Sequence, residues 1–262
     1  MKKLITILLA MVLSVACLFS FGCSANQKTV GDSGKIIVGV TDYAPMDYLE
    51  DGKWVGFDAE LAETVFTNLG YTVQFKEIDW DTKIVTLNAG TIDCIWNGMT
   101  VTDELLKNLL LTNAYLKNAQ VAVVKVEDVN SFTSKNDLVG KKVAVESGSA
   151  AETLVSNISG VSKINKASNQ NAAILDVYGN QSDVAIVDNI LARNICLSQE
   201  YFGKLTYVDI GFSAENAEQF AVAFRKSDSK LFYKVNMELE KLKKDGTVLA
   251  LATKYGIADS LI

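Results

Sequence analysis

Three acidic residues stand where predicted strands end, namely Asp42, Glu146 and Asp188. Asp188 closes the apolar run Val184-Ala185-Ile186-Val187, so its carboxylate is expected to be buried. A buried carboxylate without a cation is costly, which points to a positively charged guest. The alternative is that Asp188 caps a helix starting at Asn189. Asp42 could hold an amine in the same way, or serve the hydrogen bonding of its own loop. Two turns, Asn97-Gly98-Met99-Thr100 and Ser147-Gly148-Ser149-Ala150, each lie between a predicted strand and a predicted helix. Backbone N–H groups and a hydroxyl in such a turn can bind a carboxylate, or the hydroxyl can cap the helix that follows. Trp80, Tyr43 and Tyr48 could wall a pocket with aromatic faces that accept aliphatic carbon or a cation; simple core packing is the other reading, favoured for Tyr48.

These types describe non-covalent capture of a small polar molecule rather than turnover. The 262-residue chain contains no histidine, the commonest general base and metal ligand. Its formal charge is −6 and it has no basic run, which argues against a nucleic-acid partner. No metal or cofactor pattern is present. Cys94 and Cys196 are the cysteines beyond the N-terminal region, too few for a disulfide framework, and the apolar run around Cys94 favours a buried thiol.

Positioning these groups falls to a rhythm of strands and helices. Ile36–Val40 reads as a buried strand, Val55–Gly70 as an amphipathic helix, Tyr71–Glu77 as a strand, Asp81–Ala89 as a helix, Ile92–Trp96 as a strand and Thr102–Leu110 as a helix. A second unit repeats it: strands at 142–146, 161–165 and 183–188 alternate with helices at 149–156, 169–178 and 190–198. Gln120–Val126 and Gln219–Arg225 are strands linking the two units, and helices at 227–244 and 247–255 close the chain. The expected organisation is two α/β lobes, 36–125 with 220–262 and 126–219.

At the N-terminus, Met1-Lys2-Lys3 precedes an apolar run from Leu4 to Leu13, the pattern of a secretory signal. Ser20-Phe21-Gly22-Cys23 resembles a bacterial lipobox, although Ser20 stands where leucine is usual; Cys17 is a weaker alternative. Residues 1–22 are therefore expected to be a leader, Cys23 a lipid attachment point, and 23–35 a polar tether to a membrane.

Seven blocks, in order, carry a wider resemblance. They are Gly56-Phe57-Asp58-Ala59-Glu60-Leu61-Ala62 after Asp51-Gly52-Lys53; Asp79-Trp80; Leu87-Asn88-Ala89-Gly90-Thr91-Ile92-Asp93; Trp96 to Thr102; Gly140 to Glu152; Asp183 to Asp188; and Lys243-Lys244-Asp245-Gly246-Thr247. The chain from Lys35 to Tyr255 resembles the family 3 bacterial solute-binding proteins, the polar amino-acid binders of ABC importers. The resemblance implies a type II periplasmic-binding-protein fold, two α/β lobes joined by a two-strand hinge that close like a flytrap. It also implies a monomer that hands a small ligand, an amino acid or amine, to a membrane permease. Asp188 would receive the ligand's α-ammonium, and the turns at 97–100 and 147–150 would form the two sides of the site.

One departure matters. After Thr102-Asp103-Glu104 the family carries an arginine that clamps the ligand carboxylate; here the residue is Leu105, and the two arginines, Arg193 and Arg225, match no ligand block. With Glu146 added to Asp42 and Asp188, the expected pocket is acidic and has no matched cation. The carboxylate could rest on amides and hydroxyls, or the ligand could be an amine. A dehydratase using Glu146 as acid and base, and an adhesin or signalling module, are the readings from other classes.

Overall fold

The computed structural model describes residues 34–212 and 218–262. The expected leader, Cys23 and the tether up to residue 33 lie outside the described residues. No described helix is long and apolar enough to cross a membrane.

The chain opens with β1 (Lys35–Val40), whose Ile36, Val38 and Val40 are fully buried. A hairpin, β2 (Tyr48–Glu50) and β3 (Lys53–Val55), leads into α1 (Phe57–Asn68). Leu61, Ala62, Val65 and Phe66 recur at helical spacing on α1 and are its buried stripe. β4 (Thr72–Glu77), α2 (Lys83–Asn88), β5 (Cys94–Ile95), α3 (Asp103–Asn108) and β6 (Leu110–Leu111) follow. β7 (Leu116–Asn118) and β8 (Gln120–Lys125) lead away from this unit. Then come β9 (Lys142–Glu146), α4 (Ala150–Ser156), β10 (Lys163–Ala167), α5 (Gln170–Tyr178), β11 (Val184–Asp188), α6 (Asn189–Cys196) and β12 (Leu205–Val208). β13 (Glu218–Phe220) and β14 (Ala223–Phe224) return the chain, and α7 (Ser229–Lys244) and α8 (Thr247–Lys254) finish it.

Two five-stranded sheets result, ordered β4-β1-β5-β14-β6 and β10-β9-β11-β8-β12. They share one plan. β1 runs parallel to β4 and β5, and β9 runs parallel to β10 and β11. In each sheet the antiparallel strand is the one that has just crossed from the other half: β14 pairs with β5 and β6, and β8 with β11 and β12. Between the sheets, β7 and β13 pair antiparallel, Asn118 opposite Glu218 and Leu116 opposite Phe220. This short ribbon carries both crossings and is the two-strand hinge.

Some elements differ from the sequence reading. The strand expected at 120–126 falls almost wholly within the first-lobe range, which ends at 125, but β8 is hydrogen-bonded into the second sheet, so that boundary moves ahead of Gln120. The run 219–225 is not one strand: it divides between the hinge ribbon and the first sheet. The strand expected at 92–96 shortens to Cys94–Ile95, and that at 161–165 shifts to 163–167. Cys94 and Cys196 are both free and buried.

Arg225 fastens the first sheet from behind. Its Nη1 donates to the carbonyls of Leu87 at 2.7 Å and Ile92 at 2.6 Å, and it pairs with Asp93 at 3.3 Å and Asp228 at 2.6 Å. Every one of these partners belongs to the scaffold. Because charge-assisted bonds are worth roughly 1.5–3 kcal/mol each, replacing Arg225 with leucine is expected to lower stability by about 2–4 kcal/mol. Differential scanning calorimetry should show the melting temperature falling by roughly 5–10 °C; an unchanged value would mean that these bonds do not hold the sheet.

Candidate functional site

Reversal of strand order on either side of β1 and of β9 opens a crevice beyond the carboxyl ends of the strands, the place where open α/β sheets bind ligands. The two crevices face one another, and together they enclose a cleft of about 800 Å³. Trp80, Asn97, Gly98, Met99, Thr100 and Leu105 line it from the first half. Glu146, Gly148, Ser149, Ala150, Gln170 and Asp188 line it from the second, and Gln120 and Glu218 line it from beside the hinge. Ten of the thirteen expected site residues therefore meet around one space; Asp42, Tyr43 and Ser147 do not line it.

Asp188 sits at the end of β11 and is 5 % exposed. It does not cap α6: its side chain makes no capping bond. Instead its carboxylate accepts from three amide side chains, Asn118 at 2.5 Å, Gln120 at 2.7 Å and Gln170 at 2.5 Å, while its N–H donates to Gln170 Oε1 at 2.8 Å. Burial raises the Asp188 pKa and the amide donors pull it back. Asn118 and Gln120 also donate to Glu218, at 3.0 and 2.8 Å. Burial and the neighbouring Asp188 charge push Glu218 up to about 7. Glu146, 3 % exposed at the end of β9, is pushed up to about 8 by burial and by Asp188, with Lys83 acting in the opposite direction.

Lys83 corrects the expectation of a cleft without a cation. It is 8 % exposed and, among the described residues, is the only lysine or arginine that lines the cleft. Its Nζ donates to the Trp80 carbonyl at 3.1 Å and lies 4.8 Å from the Trp80 ring centre. It also reaches across the cleft to the Gly148 carbonyl at 2.7 Å. The arginines are elsewhere: Arg225 is in the scaffold, and Arg193 pairs with Asp259 at 2.8 Å on the surface.

The two turns expected to cradle a carboxylate are each tied into the scaffold by part of their hydrogen-bonding groups. Gly98 N–H donates to the buried Asp58 carboxylate at 2.6 Å, which also accepts from Tyr115 Oη at 2.8 Å. Asn97 lines the cleft, yet both ends of its amide bind Thr41, at 2.7 and 2.8 Å, fixing the turn to the end of β1. The cap of α3 is Thr102, which accepts from Leu105 N–H at 3.3 Å, so Thr100 is free of that duty. In the other half, Ser147 N–H donates to Ala167 O, Gly148 N–H to Glu152 Oε2 and Ser149 N–H to Glu146 O. Ser149 Oγ accepts from Glu152 N–H at 3.1 Å, the capping reading of that residue. The Gly98 N–H of one turn and the Ser147, Gly148 and Ser149 N–H groups of the other are thus committed to the frame that aims their neighbours.

The residues off the cleft have other places. Tyr43 is buried behind Gly98, where a Cβ would come within 2.7 Å of the Tyr43 ring. Its hydroxyl lies near enough to Asp188 for that charge to raise its pKa, after the larger effect of burial. Asp42 is exposed, and its carbonyl accepts from Asn171 at 3.0 Å across the two halves. Tyr48 lies half-buried on the β2–β3 hairpin, outside both cleft and core, and Trp96 is wholly buried in the core. Leu105 is 4 % exposed and packs with Trp80, Met99 and Leu109, an apolar wall in keeping with the missing clamp.

Sequence reasoning missed Gln120, Gln170, Lys83 and Glu218. The first two stand at the start of a strand and in the first turn of a helix that periodicity predicted, and those positions were the available signal. Lys83 and Glu218 had none, because each reaches the cleft only through tertiary folding.

Two outcomes follow. Glu146, raised from 4.5 to about 8 in the folded state, binds more protons folded than unfolded between those values, so stability falls as pH rises through that window. Glu146→Gln is expected to raise the melting temperature at pH 8 by several degrees and to change it little at pH 4.5; equal shifts at both would contradict this electrostatic origin. Gly148 has φ +72°, and a Cβ there would stand 2.7 Å from Asp81 Cα of the opposing half. Gly148→Ala is expected to prop the halves apart, seen as a larger radius of gyration by small-angle scattering under conditions that close the wild type.

Comparison with known proteins agrees with this geometry. The arginine-binding extracellular protein ArtP of Bacillus subtilis is 30% identical over 258 residues, covering 97% of this chain and 98% of ArtP. The L-cystine-binding protein TcyJ of Escherichia coli K12 is 29% identical, covering 92% of this chain and 89% of TcyJ. An ABC uptake transporter substrate-binding protein of Streptococcus pneumoniae, solved with bound histidine, superposes with a TM-score of 0.78 at 31% identity, over 85% of this chain and 92% of that one. The profile of the bacterial extracellular solute-binding proteins, family 3, matches residues 36–258. A two-lobed body, a ribbon hinge and a polar cleft at the strand ends thus coincide with a match along nearly the whole described chain, which belongs to the family 3 bacterial extracellular solute-binding proteins.

Proposed function

We propose that this protein is the capture subunit of an ABC importer and that its cleft takes a positively charged amino acid. The observation that carries this reading is the acidic lining: Asp81, Asp103, Glu104, Glu146, Asp188 and Glu218 border the cleft against the single lysine Lys83. A ligand ammonium at Asp188 and Glu218 would meet carboxylates that amide donors have oriented but not neutralised. Trp80, Met99 and Leu105 offer an apolar surface to the ligand's carbon chain. The arginine-binding and histidine-bound relatives support the same charge class. A ligand touching both lobes stabilises the closed form by its differential contacts.

The remaining assignments rest on the sequence. Residues 1–22 would direct export, acylated Cys23 would hold the monomeric body at the membrane through the tether, and a permease would receive the ligand. The named relatives are binding proteins, which supports a binder over an enzyme. The dehydratase reading keeps one observation, the desolvated Glu146; one structural neighbour is an ancestral amino-acid-binding protein described as a precursor of cyclohexadienyl dehydratase.

Proton linkage tests the reading. Without ligand, Glu146 and Glu218 hold protons up to about 8 and about 7. A cation beside them lowers both pKa values, so binding expels protons, and affinity is lost as pH falls through that range. Calorimetric titration with arginine, lysine, ornithine and histidine, in buffers of different ionisation enthalpy, should show proton release at pH 7. Affinity for the ligand that binds should weaken at least about tenfold between pH 8 and pH 6. Proton uptake, or preference for a neutral or acidic amino acid, would overturn the proposal.

A further inference from the structure

Lys83 is an unusual group to find in an acidic binding cleft. It is nearly as buried as the carboxylates, being 8 % exposed. An ammonium has three donors and no acceptor. Two of the donors are accounted for, by the carbonyls of Trp80 at 3.1 Å and Gly148 at 2.7 Å. The described residues give Lys83 no ion pair, although Glu146, Glu104, Asp81 and Glu152 surround it at longer range and raise its pKa against the larger lowering by burial. A buried ammonium with an unmatched donor at the wall of a ligand cleft is a place for an anion.

Its setting also fixes where that anion would sit. Trp80 holds the ammonium from one side with its ring, 4.8 Å away. Gly148 holds it from the opposite lobe, on the turn that also carries Ser149. Glu146 feels the charges of both Lys83 and Asp188, so the positive and negative groups of the lining are both within electrostatic reach of it. A zwitterion laid between Asp188 and Lys83 would present its ammonium to the first and its carboxylate to the second. The wall at Leu105 offers no charge in competition.

We propose that Lys83 is the specificity-determining residue that separates an amino acid from its decarboxylated amine, its ammonium receiving the ligand carboxylate where Leu105 provides no charge. The inference rests on the amino-acid reading of the cleft. It makes closure and carboxylate recognition the work of one side chain, because the bond to Gly148 exists only with the lobes together.

The test pairs each amino acid with the amine that lacks only its carboxylate: arginine with agmatine, lysine with cadaverine, histidine with histamine. Affinities are measured by calorimetry for wild type, Lys83→Gln and Lys83→Arg, with thermal melting to verify folding. Wild type should prefer the amino acid over its amine by tenfold or more. Lys83→Gln should bring that ratio to within about threefold by weakening the amino acid alone, and Lys83→Arg should keep the preference. If Lys83→Gln weakens acid and amine equally, the residue only bridges the lobes and the proposal is overturned while the amino-acid reading stands. Wild-type preference for the amine also overturns it. Failure of every amino acid and amine to bind wild type removes the amino-acid reading and this inference with it.

Discussion

Everything in the cleft is arranged around one buried negative charge, that of Asp188. Three amides reach it from three elements: Asn118 from the hinge strand, Gln120 from the strand that follows, and Gln170 from the first turn of α5. These donors stabilise the charged form without cancelling the charge. Two of them also bind Glu218 on the partner strand of the hinge. The hinge is therefore not a neutral connector. It is built into the most negative part of the site, and a cation placed there would couple directly to the segment on which the lobes turn.

A second constraint governs the turns. Gly98 must accept φ +53° with Tyr43 packed behind it, and its N–H is held by Asp58, which is buried at the start of α1. Asp58 also holds Tyr115 beside the hinge strand. Asp58, buried on the same face of α1 as Leu61, Ala62 and Val65, thus joins the first-lobe turn to the hinge. In the second lobe, Ser149 Oγ accepts from the Glu152 N–H and the Glu152 carboxylate accepts from the Gly148 N–H. Side-chain charge in this cleft is consequently carried beside turns whose Gly98, Ser147, Gly148 and Ser149 N–H groups are bound to the scaffold.

How far the sequence could be read divides along this line. The α1 stripe, the buried runs of β1, β9 and β11, and the placement of Asp188 at a strand end were legible, because local periodicity and apolar runs report burial. The sheet that β8 joins was not. Gln-Val-Ala-Val-Val-Lys reads as a strand whichever sheet it enters, and pairing with Val187 and Tyr207 is a non-local event. Gly98 and Ser147–Ser149 were found as turns, but their hydrogen-bond partners Asp58 and Glu152 decide what they do. Lys83 falls inside the helix expected at 81–89 with no local mark of its role; its bond to the opposing lobe appears only in the fold. The loss of the expected arginine was visible as Leu105, and the compensating charge was not.

The central claim is that a positively charged amino acid lies between the lobes with its ammonium on Asp188. A crystal structure of residues 34–262 grown with the tightest-binding amino acid tests this most directly. The account predicts the α-ammonium within hydrogen-bonding distance of Asp188, roughly 2.7–3.2 Å, and the ligand's chain against Trp80. A ligand bound outside this cleft, or a ligand carboxylate turned toward Asp188, would contradict it.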